Sequence, residues 1–324
     1  MKLLKILLKS KWDFSQIKKK KILLVDGSFN RFTKYYLKKD FNILFRRGEK
    51  INIRVLFKCI KDFDISSLNY FKNFISSAKP KVILTGFDYH TIFYKLKNVT
   101  NIKTFMLQKG KRTLSDGVFK KLLEIKKKSK EKFYVDHIFL YNKITCKNYK
   151  KIVKGNFHII GSFENNFNIL PRCKKYLNYK KNNLEFTFYK NILKKNFKFI
   201  KSNNNISSNA IVAKYKYVFC THSTLGVENL IKGGKTAFIF FKSKNNPTSF
   251  YRFGSLEKIP KKGLFWTSGH KVDLNELERV FKFVVNSKEN YWKSKAQKIC
   301  RKIIEYDFEN KIFRNLVDKE LRLP

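Results

Sequence analysis

Short apolar runs alternate with amphipathic stretches along most of the chain. Several runs are apolar at successive positions, as in the letters ILLV and FIFF, which is typical of strands buried on both faces of a parallel sheet. The predicted strands are Lys21–Val25, Lys81–Thr85, Lys103–Leu107, His137–Tyr141, Phe157–Ile160, Tyr217–Cys220 and Ala237–Phe241. Helical spacing lies between them, at Ser66–Ala78, Thr91–Lys97, Asp116–Lys130, Thr145–Val153 and Leu225–Lys232, and again from Asp273 onward. This alternation predicts right-handed βαβ units and an α/β fold.

Turn-forming and polar residues follow the predicted strands directly. Asp26 and Gly27 follow the first strand, Gly86 and Asp88 the second, and Gln108 the third. In open α/β sheets, ligands bind at the carboxyl ends of the strands. The sequence therefore predicts that a functional site, if the chain has one, lies at this edge.

The sharpest local pattern is the passage from a strand to a helix in the letters VFCTHSTLGVENLIKGG. Ser223 and Thr224 are favourable helix N-cap residues, and the free N–H groups and dipole of a helix start attract phosphate. His222 precedes the cap. Gly226 allows a ligand or a backbone to approach closely, and Glu228 supplies a carboxylate that can accept hydrogen bonds from ribose or sugar hydroxyls. An ordinary capped helix has the same pattern, so both interpretations stay open.

A second candidate is the pair Asp88 and His90, just after the strand Lys81–Thr85. A carboxylate or an imidazole there can act as a general base toward an acceptor hydroxyl. Asp88 is equally expected to cap the following helix, and the two roles are compatible.

Two motif-like segments are set aside. Gly234-Lys235-Thr236 imitates the end of a phosphate-binding P-loop, but Asn229 stands where that loop requires glycine, and a strand follows. Asp62-Phe63-Asp64 would place two carboxylates where they can hold a divalent metal across a diphosphate. A polar loop is the favoured interpretation of that segment. Neither a metal nor a cofactor is therefore predicted.

Composition adds a strong positive charge. The 324 residues suffice for two domains, and 43% hydrophobic with 16% aromatic residues exclude a disordered chain. A formal net charge of +48 normally indicates a nucleic-acid partner. Only 11 of the 72 basic residues are Arg, however, whereas phosphate-gripping sites favour the Arg fork. The charge is interpreted as background on solvated surfaces, and nucleic acid is not the expected partner.

The expected location is the cytoplasm. No apolar run approaches the roughly 18 residues of a membrane-spanning helix, and the start MKLLKILLKSKW does not match a signal peptide. Five widely spaced cysteines without a CxxC motif indicate reduced thiols. Peripheral contact with the anionic inner membrane is compatible with the basic, aromatic-rich composition. The segment MKLLKILLKSKWDF suits either an amphipathic anchor or a packed helix.

Five strand-end segments together resemble a known family. They are Thr85–Asp88, Phe105–Arg112, Asp136–Asn142, Ile160–Asn166 and Ser223–Glu228. Their order and spacing resemble bacterial surface-carbohydrate (O-antigen or capsule) biosynthesis proteins, which are similar to GT-B type glycosyltransferases with two Rossmann-like domains. The resemblance covers most of residues 21–285, and the Ser-Thr-Leu-Gly-x-Glu element is its most specific part.

The resemblance implies a domain organisation with parallel sheets. A Rossmann-like acceptor-side domain is expected over residues 1–168, a nucleotide-sugar-binding domain over 169–300, and a C-terminal helical strap over 301–324. Only 62 residues separate Gly161 from Ser223, so the second domain is expected to be shortened. Lys109 stands where similar proteins are expected to carry Asn.

The resemblance also implies an activity, the metal-independent transfer of a sugar from a nucleotide donor to a polysaccharide or lipid-linked acceptor. A strand-end carboxylate would accept the acceptor's proton, and the helix dipole would stabilise the departing phosphate. Implied catalytic residues are Asp88 and His90. The donor would contact His222, Ser223, Thr224, Gly226 and Glu228. The implied cleft wall consists of Gln108, Gly110, Arg112, Glu164 and Asn165.

Three other functions stay open. A nucleotide-sugar 2-epimerase would use a similar phosphate site and would isomerise its substrate without an acceptor. A shortened second domain also suits a non-catalytic scaffold. A basic nucleic-acid-binding protein would show oligonucleotide affinity that falls steeply with salt.

Overall fold

A computed structural model describes residues 10–27, 41–45, 49–110, 112, 117–129, 132–166, 211–221, 223–241, 253, 259–269 and 273–322. Its strands are β1 (Lys11–Asp13), β2 (Ile22–Val25), β3 (Phe41–Leu44), β4 (Lys50–Asn52), β5 (Val82–Thr85), β6 (Lys103–Leu107), β7 (Tyr134–Leu140), β8 (Lys154–Ile159), β9 (Tyr217–Cys220), β10 (Lys235–Phe241), β11 (Lys262–Gly263) and β12 (Trp266–Gly269). Its α-helices are α1 (Ile53–Lys61), α2 (Ser67–Ala78), α3 (Thr91–Tyr94), α4 (Val118–Lys128), α5 (Lys143–Lys150), α6 (Thr224–Ile231), α7 (Leu274–Asn286), α8 (Glu289–Ile303) and α9 (Lys311–Arg322). Short 3-10 helices span Leu96–Asn98 and Phe308–Asn310.

Six parallel strands form the larger sheet, in the order β3-β2-β5-β6-β7-β8. The predicted α/β fold is confirmed, and all seven predicted strands are present. The strand order reverses at β2, because β3 lies on one side of it and β5 to β8 lie on the other. Such a reversal opens a crevice at the carboxyl ends of the strands, here those of β2 and β5.

Both faces of the larger sheet are buried, as the continuous apolar runs predict. One face packs against helices on its own side, through residues that include Leu23, Ile83, Val55, Phe71 and Leu122. The other face lies against α9, through residues that include Leu24, Val82, Phe105, Phe313 and Val317. The C-terminal helix thus belongs to the core of the larger sheet.

A four-stranded sheet has the order β11-β12-β10-β9. Strands β9, β10 and β12 are parallel, and β11 is antiparallel to β12. This sheet has its own hydrophobic cluster with α6, α7 and α8, which includes Leu230, Phe238, Phe240, Val280 and Trp292. The domain boundaries at 168 and 300, and the shortening of a second domain, stay predictions because residues 167–210 lie outside the described residues.

The segment between α8 and α9 crosses the ends of β7 and β8. The Glu305 N–H donates to the Tyr141 carbonyl at 3.0 Å, and the Asp307 N–H donates to the Ile160 carbonyl at 3.1 Å. Gly161 has φ +77, and a Cβ there would lie 1.7 Å from the Glu305 carbonyl oxygen. Glycine is therefore required where the crossing chain touches the sheet edge.

Asp62-Phe63-Asp64 forms the loop between α1 and α2, as the favoured interpretation predicts. The Asp62 carboxylate accepts from the side-chain amides of Asn69 at 3.1 Å and Asn73 at 2.7 Å, so hydrogen bonds from α2 satisfy it. Across the described residues, no group of three or more His, Cys, Asp and Glu side chains is arranged to hold a metal ion.

Candidate functional site

Asp88 anchors a buried ion pair at the carboxyl end of β5. The Arg112 Nε donates to its Oδ2 at 2.7 Å, and a second guanidinium N–H donates to Oδ1. The Tyr149 hydroxyl donates to Oδ2 at 2.6 Å. Asp88 is fully buried, and both of its carboxylate oxygens are engaged. In this arrangement the carboxylate holds Arg112 in one orientation.

The pKa values around this pair follow from burial and from the Asp88 charge. Burial lowers the pKa of Arg112, but the hydrogen bond and the charge of Asp88 outweigh it, so the net pKa lies above its usual value. Burial, assisted by the same negative charge, raises the pKa of Tyr149 well above its usual value. Arg112 is therefore a fixed positive charge, and Tyr149 is a neutral hydrogen-bond donor.

His90 is the N-cap residue of α3, whereas the sequence predicts that Asp88 caps this helix. That capping expectation is wrong, because the Asp88 side chain is directed to Arg112 and His90 occupies the N-cap position. The His90 side chain is buried, and its ring centroid lies 5.8 Å from that of Phe71. Next to it, Tyr89 is exposed, and the Arg112 guanidinium lies 5.1 Å from the Tyr89 ring centroid.

A chain of buried polar groups joins the larger sheet to α6. The Gln108 Oε1 accepts from the Tyr141 N–H at 3.1 Å, and the Tyr141 hydroxyl lies 3.2 Å from the Ser162 Oγ. That Oγ donates to the Glu228 Oε1 at 2.7 Å. The Asn165 amide donates to the Glu228 carbonyl at 3.1 Å. These five residues, here called the junction network, connect the carboxyl ends of β6, β7 and β8 with α6.

Burial is the main influence on the pKa values in and beside the junction network. Burial raises the pKa of Tyr141, and the negative charges of Glu228, Glu164 and Asp88 raise it further. Tyr141 is therefore a neutral hydroxyl within the junction network. Burial also lowers the pKa of Lys232, and the Glu228 charge partly opposes that shift.

The start of α6 is an accessible helix N-terminus. Ser223 is its N-cap and Thr224 its first residue, and both are exposed. The Ser223 Oγ accepts from the Leu225 N–H at 3.2 Å. Gly226 is buried, and a Cβ there would lie 2.8 Å from the Cys220 Sγ, so close packing on the strands accounts for the glycine.

The structure thus brings most of the predicted site residues to one edge. Asp88 and Arg112 form one group, and Gln108, Asn165 and Glu228 belong to the junction network. Gly110 accepts from the Gln108 amide at 2.8 Å, and Glu164 lies in the turn before Asn165. His222 lies outside the described residues. Sequence reasoning did not single out Tyr141, Tyr149 or Ser162, although Tyr141 and Ser162 lie inside two of the quoted strand-end segments.

The family of the chain follows from a match over residues 105–178 and 167–321 to a family model described as "putative O-antigen biosynthesis protein". The matched segments cover more than half of the chain, so the chain belongs to this family. No curated protein matches it. Among the described residues, no helix combines the length and the apolar character needed to cross a bilayer.

Proposed function

We propose that this chain is a GT-B-like glycosyltransferase of surface-carbohydrate biosynthesis, which transfers a sugar from a nucleotide donor to a polysaccharide or lipid-linked acceptor. One observation carries the proposal. The exposed N-terminus of α6 is tied to the carboxyl edge of the larger sheet by the 2.7 Å hydrogen bond between Glu228 and Ser162. A phosphate-attracting helix start and the polar strand ends therefore belong to one region.

The donor diphosphate is assigned to the start of α6. Free N–H groups and the positive end of the dipole favour an anion there, and Thr224 adds a hydroxyl. The sequence predicts that Glu228 faces the ribose or sugar. Its bond to Ser162 favours a positioning role, in which the carboxylate holds α6 against the sheet edge.

Arg112 is assigned the role of stabilising the negative charge on the leaving phosphate. In the reaction, an acceptor hydroxyl oxygen forms a bond to the anomeric carbon, the bond from that carbon to the donor phosphate breaks, and the hydroxyl proton passes to a base. Preorganised positive groups stabilise the departing phosphate. The ion pair with Asp88 supports a fixed Arg112. The general-base roles of Asp88 and His90 stay predictions, since both side chains are buried here.

A charge placed at the start of α6 tests the donor site. Thr224→Glu puts a carboxylate on the first helical residue, where it suits the dipole and preserves the helix but repels a diphosphate. The control is Leu274→Glu, which makes the same kind of change at the first residue of α7. Binding of a panel of nucleotides and nucleotide-sugars is measured by calorimetry at about 50 mM and about 500 mM salt.

Selective binding by the unmodified chain is expected to persist at the higher salt concentration. Thr224→Glu is expected to weaken it at least about ten-fold, and Leu274→Glu to leave it unchanged. Weak binding of every polyanion, lost in salt and equal in both variants, would contradict a donor site at α6.

A further inference from the structure

Six large apolar side chains are exposed in two short segments of the first 65 residues, two in the first segment and four in the second. They are Trp12, Phe14, Phe57, Ile60, Phe63 and Ile65, here called the aromatic patch. Phe63 is 99% exposed, so it makes almost no contact within the chain. Exposed apolar side chains that lie together on a surface mark sites of interaction.

A strand pairing and a hydrogen bond from a side chain to the backbone connect the two segments that carry the aromatic patch. Strand β1 pairs with β4, with Trp12 opposite Ile51, and the Arg54 Nε donates to the Phe14 carbonyl at 3.1 Å. Helix α1 follows β4 directly, so the segment that carries Trp12 and Phe14 lies against the start of the helix that carries Phe57.

Helix α1 carries apolar residues on both of its sides. Val55 and Cys59 are buried in the core, whereas Phe57 and Ile60, one turn apart, are exposed. The loop that carries Phe63 follows the helix. Arg54, Lys58 and Lys61 are exposed on the same helix, so the exposed surface of α1 is partly apolar and partly basic.

The two segments that carry the aromatic patch have a net positive charge. Residues 10–21 and 49–66 contain nine Lys and Arg against four Asp and Glu. Arg54, Lys58 and Lys61 alternate with the exposed apolar residues of α1. Asp13 is paired with Lys50 at 3.0 Å, and these two opposite charges cancel, so the net charge of the two segments stays +5. A partner that fits this surface should therefore present negatively charged groups on its outside and apolar groups beneath them.

We propose that the aromatic patch docks this chain on a bilayer that contains anionic phospholipids. Phe57, Ile60 and Phe63 enter the boundary between headgroups and acyl chains, and the long Lys and Arg side chains reach the lipid phosphates. This inference does not depend on the donor site at α6, because it rests on a surface formed by β1, β4, α1 and the loop after α1.

Tryptophan fluorescence of the full chain tests the docking directly. Trp12 is 42% exposed, whereas Trp266 is 5% and Trp292 is 0% exposed, so a vesicle changes the surroundings of Trp12 alone. With vesicles of phosphatidylcholine and phosphatidylglycerol, the emission should shift to shorter wavelength and be quenched by brominated acyl chains. Vesicles of phosphatidylcholine alone should give little change.

Paired variants separate the apolar and the electrostatic contributions. Phe57→Ser with Phe63→Ser should weaken binding in vesicle sedimentation at least about ten-fold. The control, Leu274→Ser with Phe308→Ser, removes two exposed apolar side chains elsewhere and should leave binding unchanged. Lys58→Gln with Lys61→Gln should weaken binding about five-fold per charge. The matched charge control is Lys293→Gln with Lys298→Gln on α8.

Four results would overturn the proposal. The first is equal binding to neutral vesicles, and the second is loss of binding in the control variants as well. The third is a dimer that depends on the aromatic patch and binds no vesicles. The fourth is an emission spectrum that shows a solvent-exposed Trp12 only when residues 1–9 are deleted. The third result would identify a second copy of the chain as the occupant, and the fourth would identify the chain's own N-terminal residues. Nucleotide binding, measured on the same variants, reports on the α6 site separately.

Discussion

Gly226 sets how closely α6 lies on its sheet. A Cβ at this position would lie 2.8 Å from both the Cβ and the Sγ of Cys220 and 3.0 Å from the Phe238 ring. These neighbours lie on β9 and β10, and a distance under 3.0 Å requires either the helix or a strand residue to shift. Gly226→Ala is expected to lower the free energy of unfolding by about 1–3 kcal/mol, measured by urea denaturation.

Gly110 provides the matched control, because a Cβ there meets nothing within 4 Å. Gly110→Ala should change the free energy of unfolding by less than about 0.5 kcal/mol. Equal effects of the two substitutions would show that helix packing is not what requires glycine at position 226.

Two histidines on neighbouring strands share a partly buried contact. The His137 Nδ1 lies 3.1 Å from the His158 Nε2. Burial lowers the pKa of His158, and the neighbouring imidazole lowers it further, to about 4. Burial also lowers the pKa of His137, although the Asp136 charge opposes that shift. Folding therefore favours the neutral rings, whereas the unfolded chain binds protons already below about pH 6.5.

The histidine contact makes stability depend on mildly acidic pH. The unfolded state binds more protons between the ordinary pKa of 6.5 and the folded pKa of about 4, so stability falls as pH falls through this window. The loss should be about 1–2 kcal/mol, since solvent screens half-buried rings. His158→Gln should remove much of it, as measured by urea denaturation at about pH 7.5 and about pH 5.

The pH window distinguishes the histidines from the carboxylates. Burial alone would raise the pKa of Asp136, but hydrogen bonds from Thr104 and Lys97 bring it below its ordinary 3.8. The stabilisation from Asp136 is present above 3.8 and is lost only as pH falls through its lower folded pKa. An unchanged pH dependence in His158→Gln would assign the mild-acid loss to other groups.

At the scale of elements, α9 covers one face of the larger sheet. The Phe313 ring centroid lies 5.3 Å from that of Phe139 and 5.0 Å from that of Phe163, and Phe313 is buried. Phe313→Ala should therefore cost about 3–5 kcal/mol of unfolding free energy in urea denaturation. Ile312→Ala, at an exposed position of the same helix, should cost far less. Similar losses for both would contradict a dominant contribution of Phe313 to core packing, because replacement by Ala favours the helix at either position.

The sequence predicted the central strands well because they are buried on both faces. The runs ILLV in β2 and VILT in β5 are apolar at nearly every position, and every residue in them is buried. Strand β3 gave no such signal, because as an edge strand it has three half-buried residues and one buried residue. Helix α1 was not predicted either, because it is only nine residues long and its Ile, Val and Phe residues favour strands.

The candidate site was predictable in its place but not in its contacts. Strand-end polar residues marked the carboxyl edge, and the structure gathers them there. The pairing of Asp88 with Arg112 joins residues 24 apart, and its hydrogen bond to Tyr149 joins residues 61 apart. Local sequence patterns cannot specify which distant side chain forms an ion pair or a hydrogen bond with a carboxylate. The sequence therefore suggested an available base where the structure has a complete ion pair.

At the scale of the whole molecule, the junction network joins two sheets that have separate hydrophobic clusters. Tyr141 follows β7 of the larger sheet but packs in the cluster of the smaller one. The Asn142 amide also donates to the Ile303 carbonyl at the end of α8, at 2.7 Å. Polar contacts and the crossing segment after α8 therefore connect the two cores. The two cores should unfold together.

The bond between Ser162 and Glu228 can be measured as a coupling. Ser162→Ala leaves a buried carboxylate with one partner fewer, and Glu228→Gln removes the charge that the hydroxyl stabilises, so each should lower the unfolding free energy by about 1–3 kcal/mol. Once either partner is changed, the second substitution has less to remove. The double variant should thus lose less than the sum, by about 0.5–3 kcal/mol in a double-mutant cycle of urea denaturation. Ser162→Ala combined with Ser268→Ala is the control, because Ser268 donates to the Lys261 carbonyl just before β11 and shares no partner with Ser162 among the described residues. That pair should be additive within about 0.5 kcal/mol. If the Ser162–Glu228 cycle were equally additive, the junction network would not transmit stability between the sheets, and the position of α6 at the sheet edge would depend on the apolar contacts and the crossing segment.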